Sequence, residues 1–95
     1  MKTLISNQTP DYCSEVVLHN FDGKDTRFKI TVENGNSYFR VKIYIQTLNG
    51  DFSIVASNDD IPGLTYISYI YKNDERIQKG IDNIEICKAY IQTVF

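Results

Sequence analysis

The chain has 95 residues, 42% of them hydrophobic and 23% charged, with a formal net charge of −2. That length suits a single domain spanning 1–95 with one core, and it is too short for two. The mild negative charge argues against general affinity for nucleic acid or membrane surfaces but leaves room for a local basic patch, and no apolar run approaches the roughly 18 residues of a membrane span.

The opening Met1-Lys2-Thr3-Leu4-Ile5 turns polar at Ser6-Asn7-Gln8. That is too soon for the apolar core of a secretory signal, so the chain reads as cytoplasmic. Cys13 and Cys87 are the only cysteines. They are expected to be reduced and buried as small hydrophobes. Neither has a second Cys or His at metal-ligand spacing, so no metal or other cofactor is implied.

Residues 9–23 carry helix-start signals. Thr9 suits an N-cap, Pro10 the first helical position, and Asp11 the positive end of the dipole. Tyr12, Cys13, Val16, Val17 and Asn20 follow at helical spacing, and Gly23 offers a stop. An N-terminal helix is predicted. A rival reading makes residues 15–21 a strand, joined through Asp22-Gly23 to the next one.

Residues 26–57 hold three β-rich runs joined by Asn34-Gly35 and Asn49-Gly50. Read as two-residue type I′ turns, these pairs predict an antiparallel meander. The first turn pairs Glu33 with Asn36 and sets Phe28 opposite Val41 and Ile30 opposite Phe39. The second pairs Leu48 with Asp51 and sets Ile43 opposite Ala56 and Ile45 opposite Ile54. Both put the odd residues of the middle strand on one apolar face, with Phe28, Ile30, Val32, Phe52, Ile54 and Ala56. The other face receives Arg27, Lys29, Tyr38, Arg40, Lys42, Tyr44, Gln46, Ser53 and Val55.

Residues 58–63 read as a loop, since Pro62 and Gly63 do not continue a central strand. Beyond it Ile70, Ile77, Ile84 and Ile91 recur every seven residues, which predicts helix, broken near Gly80 into 64–79 and 82–94. The run from Tyr66 to Tyr71 is β-rich, so a strand within 64–72 stays open. If the isoleucine stripe exceeds what the sheet covers, the surplus makes a homodimer seam in this C-terminal helical region.

The expected fold class is therefore α+β. It consists of a three-stranded antiparallel β-meander with an N-terminal helix and one or two C-terminal helices packed on one face. This α-β-β-β-α order resembles that of double-stranded-RNA-binding domains over residues 9–79, in topology and without a shared motif. That family grips phosphates with a lysine cluster at the start of its second helix, where this chain has the acidic Asp59-Asp60-Ile61-Pro62-Gly63. Some small phage-encoded inhibitors of bacterial defence nucleases show a similar order.

The open sheet face is the candidate binding site, through Arg27, Lys29, Tyr38, Arg40, Lys42 and Tyr44. The predicted register sets Arg27 opposite Lys42 and Lys29 opposite Arg40, and like charges across a pair destabilise a sheet. Cations interleaved with tyrosine can hold phosphates and stack bases, or can anchor an acidic protein partner. A merely solvated face, with Lys and Arg stems lying over Tyr and Val55, is the competing reading. His19, the one histidine, has only Asp22 and Asp25 near in sequence as orienting groups, and Asp59-Asp60 reads as a loop pair. No nucleophile elbow, HExxH or dinucleotide fingerprint occurs. A non-catalytic module acting through a protein partner, as an inhibitor or accessory protein, is expected. Nucleic-acid or nucleotide binding on the same face is the alternative.

Overall fold

A computed structural model describes residues 1–35, 38–68 and 70–95. Five strands come first: β1 (Lys2–Gln8), β2 (Tyr12–Phe21), β3 (Lys24–Asn34), β4 (Phe39–Gln46) and β5 (Phe52–Ser57). One helix, α1 (Asn73–Val94), follows. The strands form one antiparallel sheet in the order β1-β2-β3-β4-β5. The fold is α+β, but the sheet has five strands rather than three. Among the described residues there is no N-terminal helix, and of the one or two C-terminal helices expected there is one, unbroken at Gly80. The α-β-β-β-α order, and with it the topological resemblance to double-stranded-RNA-binding domains, does not hold.

The predicted N-terminal helix is instead the β1–β2 turn and β2. Thr-Pro-Asp serves a turn as readily as a helix start. The Thr9 hydroxyl accepts the Tyr12 N–H (3.1 Å) and donates to the Tyr12 carbonyl (2.8 Å), which closes the turn. β2 then pairs with β3 from Tyr12↔Glu33 to Phe21↔Lys24. Asp22 and Gly23, at φ 55° and 80°, make the tight connection that the rival strand reading anticipates.

The β3–β4 register differs by four residues from the prediction. Phe28 faces Ile45, Ile30 faces Ile43, Val32 faces Val41 and Asn34 faces Phe39. The predicted Glu33–Asn36 pairing falls on Asn36, outside the described residues. Asn34 is a buried strand residue rather than a turn residue, because its polar groups are used elsewhere. Its N–H donates to the Asp11 carbonyl (2.8 Å). Its amide, oriented with nitrogen toward the Ile67 carbonyl (3.0 Å), presents its oxygen to the Arg76 guanidinium (2.9 Å). A slip by an even number leaves each side chain on its expected face.

The β4–β5 register fails differently. Ile43 faces Ala56 as expected, but the register shifts by one beyond it, so Tyr44 faces Ile54 and Gln46 faces Phe52. The connection is a three-residue loop, Leu48-Asn49-Gly50, with Gly50 at φ 91° and the Thr47 N–H donating to the Asp51 carbonyl (2.7 Å). That is the turn-plus-bulge hairpin rather than a two-residue turn. A one-residue shift turns side chains over. Phe52 and Ile54 therefore stand on the open face, not the apolar one.

The 22-residue helix, about 33 Å long at 1.5 Å per residue, runs unbroken through Gly80. It lies over β2 and β3 and reaches β1. Gly80, Ile84, Cys87 and Ile91 make its buried edge against Cys13, Val17, Phe28 and Ile30. Residues 64–68 are neither helix nor ladder strand. They cross the inner face of the sheet, with Ile67 buried and Leu64 packed against the core. The buried Asn83 amide pins them, accepting the Thr65 N–H (2.7 Å) and donating to the Thr65 carbonyl (2.9 Å). In the seven-residue isoleucine series, Ile84 and Ile91 pack on the chain's own sheet. Ile77 is half-buried, and Ile70 is exposed outside the helix.

Candidate binding face

With α1 and residues 61–67 on one side, the other side of the sheet is open. Its rows run across strands. One row is Ile5, Val16, Lys29, Tyr44 and Ile54. A second sets Lys2 beside Leu18 and Leu18 beside Arg27, and on β4–β5 sets Gln46 beside Phe52. A third is Asn7, Ser14, Thr31, Lys42 and Ser57. Tyr12, Glu33 and Arg40 close the far end.

All six candidate residues are on or beside this face, but their neighbours are not those predicted. Lys29 sits between Val16 and Tyr44 rather than opposite Arg40, and Arg40 faces Glu33. Arg27 pairs with Leu18, and Lys42 lies between Thr31 and Ser57. The like-charge opposition is absent. Tyr38 precedes β4 instead of belonging to it.

Two cations of this face lie over aromatic rings. The Lys29 ammonium lies 4.7 Å from the Tyr44 ring centre and 4.8 Å from that of Phe52. The Arg40 guanidinium lies 4.5 Å from the Tyr38 ring centre. Tyr38 in turn rests on Gly35, where a Cβ would collide with its ring. Such contacts are worth about 0.5–1 kcal/mol each at exposed sites. They hold the long side chains down on the sheet. At the two ends of the Lys29–Tyr44 row, on the edge strands, stand exposed aliphatic groups, with Ile5 at 60% and Ile54 at 56% exposure.

Charge is segregated. The open face carries five of the ten basic residues (Lys2, Arg27, Lys29, Arg40, Lys42) and two of the twelve acidic ones. The two acids stand at opposite ends, Asp25 near the β2–β3 turn and Glu33 beside Tyr12. The rest of the chain is left strongly acidic. In α1 the exposed residues include Asp74, Glu75, Asp82 and Glu85.

The other chemistry-bearing residues have structural settings. The His19 ring packs edge-on to Phe28 at 5.8 Å, and its buried Nε2 has no hydrogen-bond partner among the described residues. Asp60 accepts the Ser57 N–H (3.0 Å) and so caps the end of β5. Cys13 and Cys87 are free and buried. Burial pushes both thiols up, that of Cys87 to about 12, which disfavours the reactive thiolate. No helix is long and apolar enough to cross a membrane among the described residues.

Sequence reasoning misses Ile5, Val16, Leu18, Phe52 and Ile54 as parts of this face. The signal for β2 is present in the Asp22-Gly23 hairpin pair. The bulge that turns over Phe52 and Ile54 has none beyond the glycine at position 50. Compared with protein-family models, with curated proteins and with solved structures, the chain gives no match.

Proposed function

We propose that the chain is a small non-catalytic binding module that docks a protein partner of acidic surface on its open sheet face, as an inhibitor or accessory protein does. The observation that carries this reading is the occupancy of the aromatic rings. Stacking on bases needs free ring faces, whereas Tyr44, Phe52 and Tyr38 each already have a cation over one. Exposed Ile5 and Ile54 in the same row have no use against phosphates. They end that row on the two edge strands and suit apolar contacts of a protein interface that flank the central Lys29 and Tyr44, with Arg and Tyr as anchors. The positive excess on the face supplies steering toward an acidic surface.

Fluorescence-anisotropy titration with short single- and double-stranded RNA and DNA, at low and physiological salt, tests the choice. Flat curves at physiological salt are expected. Saturable binding that falls with salt and is lost in an Arg27→Glu/Lys42→Glu variant would transfer the face to nucleic acid.

A further inference from the structure

The two edges of the sheet end differently. Just past β5 the Asn58 amide accepts the Val41 N–H and donates to the Phe39 carbonyl (3.0 Å), both of β4, and Asp60 takes the Ser57 N–H, so side chains continue the edge where the six-residue β5 stops. At the β1 edge, no side chain bonds the backbone of Lys2–Gln8 among the described residues. Every residue of that strand is exposed. Natural sheets blunt such edges with charge, proline, bulges or cover. β1 has a register irregularity at Leu4 and one lysine at its start, and residues 3–8 carry neither charge nor proline. Leu4 and Ile5 are 37% and 60% exposed on it.

We infer that β1 pairs antiparallel with β1 of a second copy, making one continuous ten-stranded sheet across a two-fold axis. The charge pattern selects this occupant. An edge uncharged from Thr3 to Gln8 offers no countercharge to an acidic or basic strand. Paired with itself antiparallel, it faces no like charges in any register centred within those residues. Space is available on the helix side. A groove of about 360 Å³ lies beside β1, lined by Met1, Thr3, Glu85, Lys88, Ala89 and Gln92. It is where the helix-side groups of a neighbouring β1 would settle. With strands about 4.8 Å apart and α1 over β2 and β3, the two helices stand more than about 14 Å apart. That exceeds the 8–10 Å of packed helices, so they do not clash. On the other side the two open faces join, with Ile5 of each copy beside the seam. This pairing is independent of what the open face binds, and it places self-association on the strand edge rather than on the helical isoleucines.

Sedimentation velocity of the full chain between roughly 1 and 200 μM tests it. A reversible monomer–dimer equilibrium is expected. Ile5→Lys/Asn7→Lys, at exposed positions, should weaken the dimer by about tenfold or more. Ile54→Lys on the opposite edge should leave it unchanged. In parallel, hydrogen exchange on the wild type should show protection of the amides of residues 3–8 rising with concentration, a readout that does not depend on how the variants fold. A monomer throughout the range overturns the inference. So does a dimer that survives Ile5→Lys/Asn7→Lys, one lost in Ile54→Lys, or β1 protection independent of concentration.

Discussion

Gly80 of α1 rests directly on Cys13 of β2: a Cβ built at Gly80 would lie 2.6 Å from the Cys13 Sγ. A helix-interior glycine costs about 1 kcal/mol relative to alanine. Here that cost admits the helix close enough for Ile84, Cys87 and Ile91 to reach the sheet. Gly80→Ala should therefore destabilise the protein, because an overpacking penalty of about 1–3 kcal/mol outweighs the propensity gain. In a Cys13→Ala background the same change should become neutral or stabilising. A double-mutant cycle by urea denaturation reads the coupling, and purely additive changes would refute the contact.

Asn83 acts as a one-residue strand, bonding both backbone groups of Thr65. Replacing it by alanine leaves the partly buried Thr65 N–H and carbonyl without these partners, at about 1–3 kcal/mol. The loss should be local before it is global. Limited proteolysis of Asn83→Ala should cut within residues 61–72 at concentrations where the wild type is intact. An unchanged digestion pattern would contradict this role.

Lys88 is the counterion of the buried Glu15 at 2.6 Å, with Glu85 at 3.1 Å and the Thr3 hydroxyl on Glu15. Burial alone would pull the Lys88 ammonium down. Its hydrogen bonds to Glu15 and Glu85, and their charges, outweigh that and hold it above the ordinary 10.5. Lys88→Met should cost about 3–5 kcal/mol by stranding Glu15, and Glu15→Leu in that background should restore most of it. A raised lysine value stabilises the fold fully below 10.5, and the stabilisation is lost as pH climbs through the folded value. The Cys87 thiol, held at about 12 against an ordinary 9.0, adds to the same alkaline loss. Thermal melts should therefore fall more steeply on the alkaline side in wild type than in Lys88→Met/Glu15→Leu. Parallel slopes would show that the pair contributes nothing there.

Alternation was the legible part of this fold. It assigns Phe28, Ile30, Val41 and Ile43 to the core and Lys29, Lys42 and Tyr44 to the open face. Those assignments survive a four-residue register error because the error is even. What was illegible depends on distant partners. Asn34 leaves the turn because Asp11, Ile67 and Arg76 use its polar groups. Thr9-Pro10-Asp11 closes a hairpin because β3 offers β2 a full ladder. Gly80 reads as a helix breaker until Cys13 is placed beneath it. Phe52 and Ile54 read as core because the bulge beyond Ile43 leaves no mark in the alternation.

The central claim, a protein partner on the open face, is tested most directly by capture from a nuclease-treated lysate of the source cells. The immobilised wild type would be compared with a folded Arg27→Glu/Lys42→Glu variant, and any captured protein then titrated by calorimetry. The prediction is an acidic protein that survives nuclease treatment, binds the wild type at a defined stoichiometry, and is lost with the two charge reversals. Capture that vanishes with nuclease, or that the variant retains in full, would contradict it.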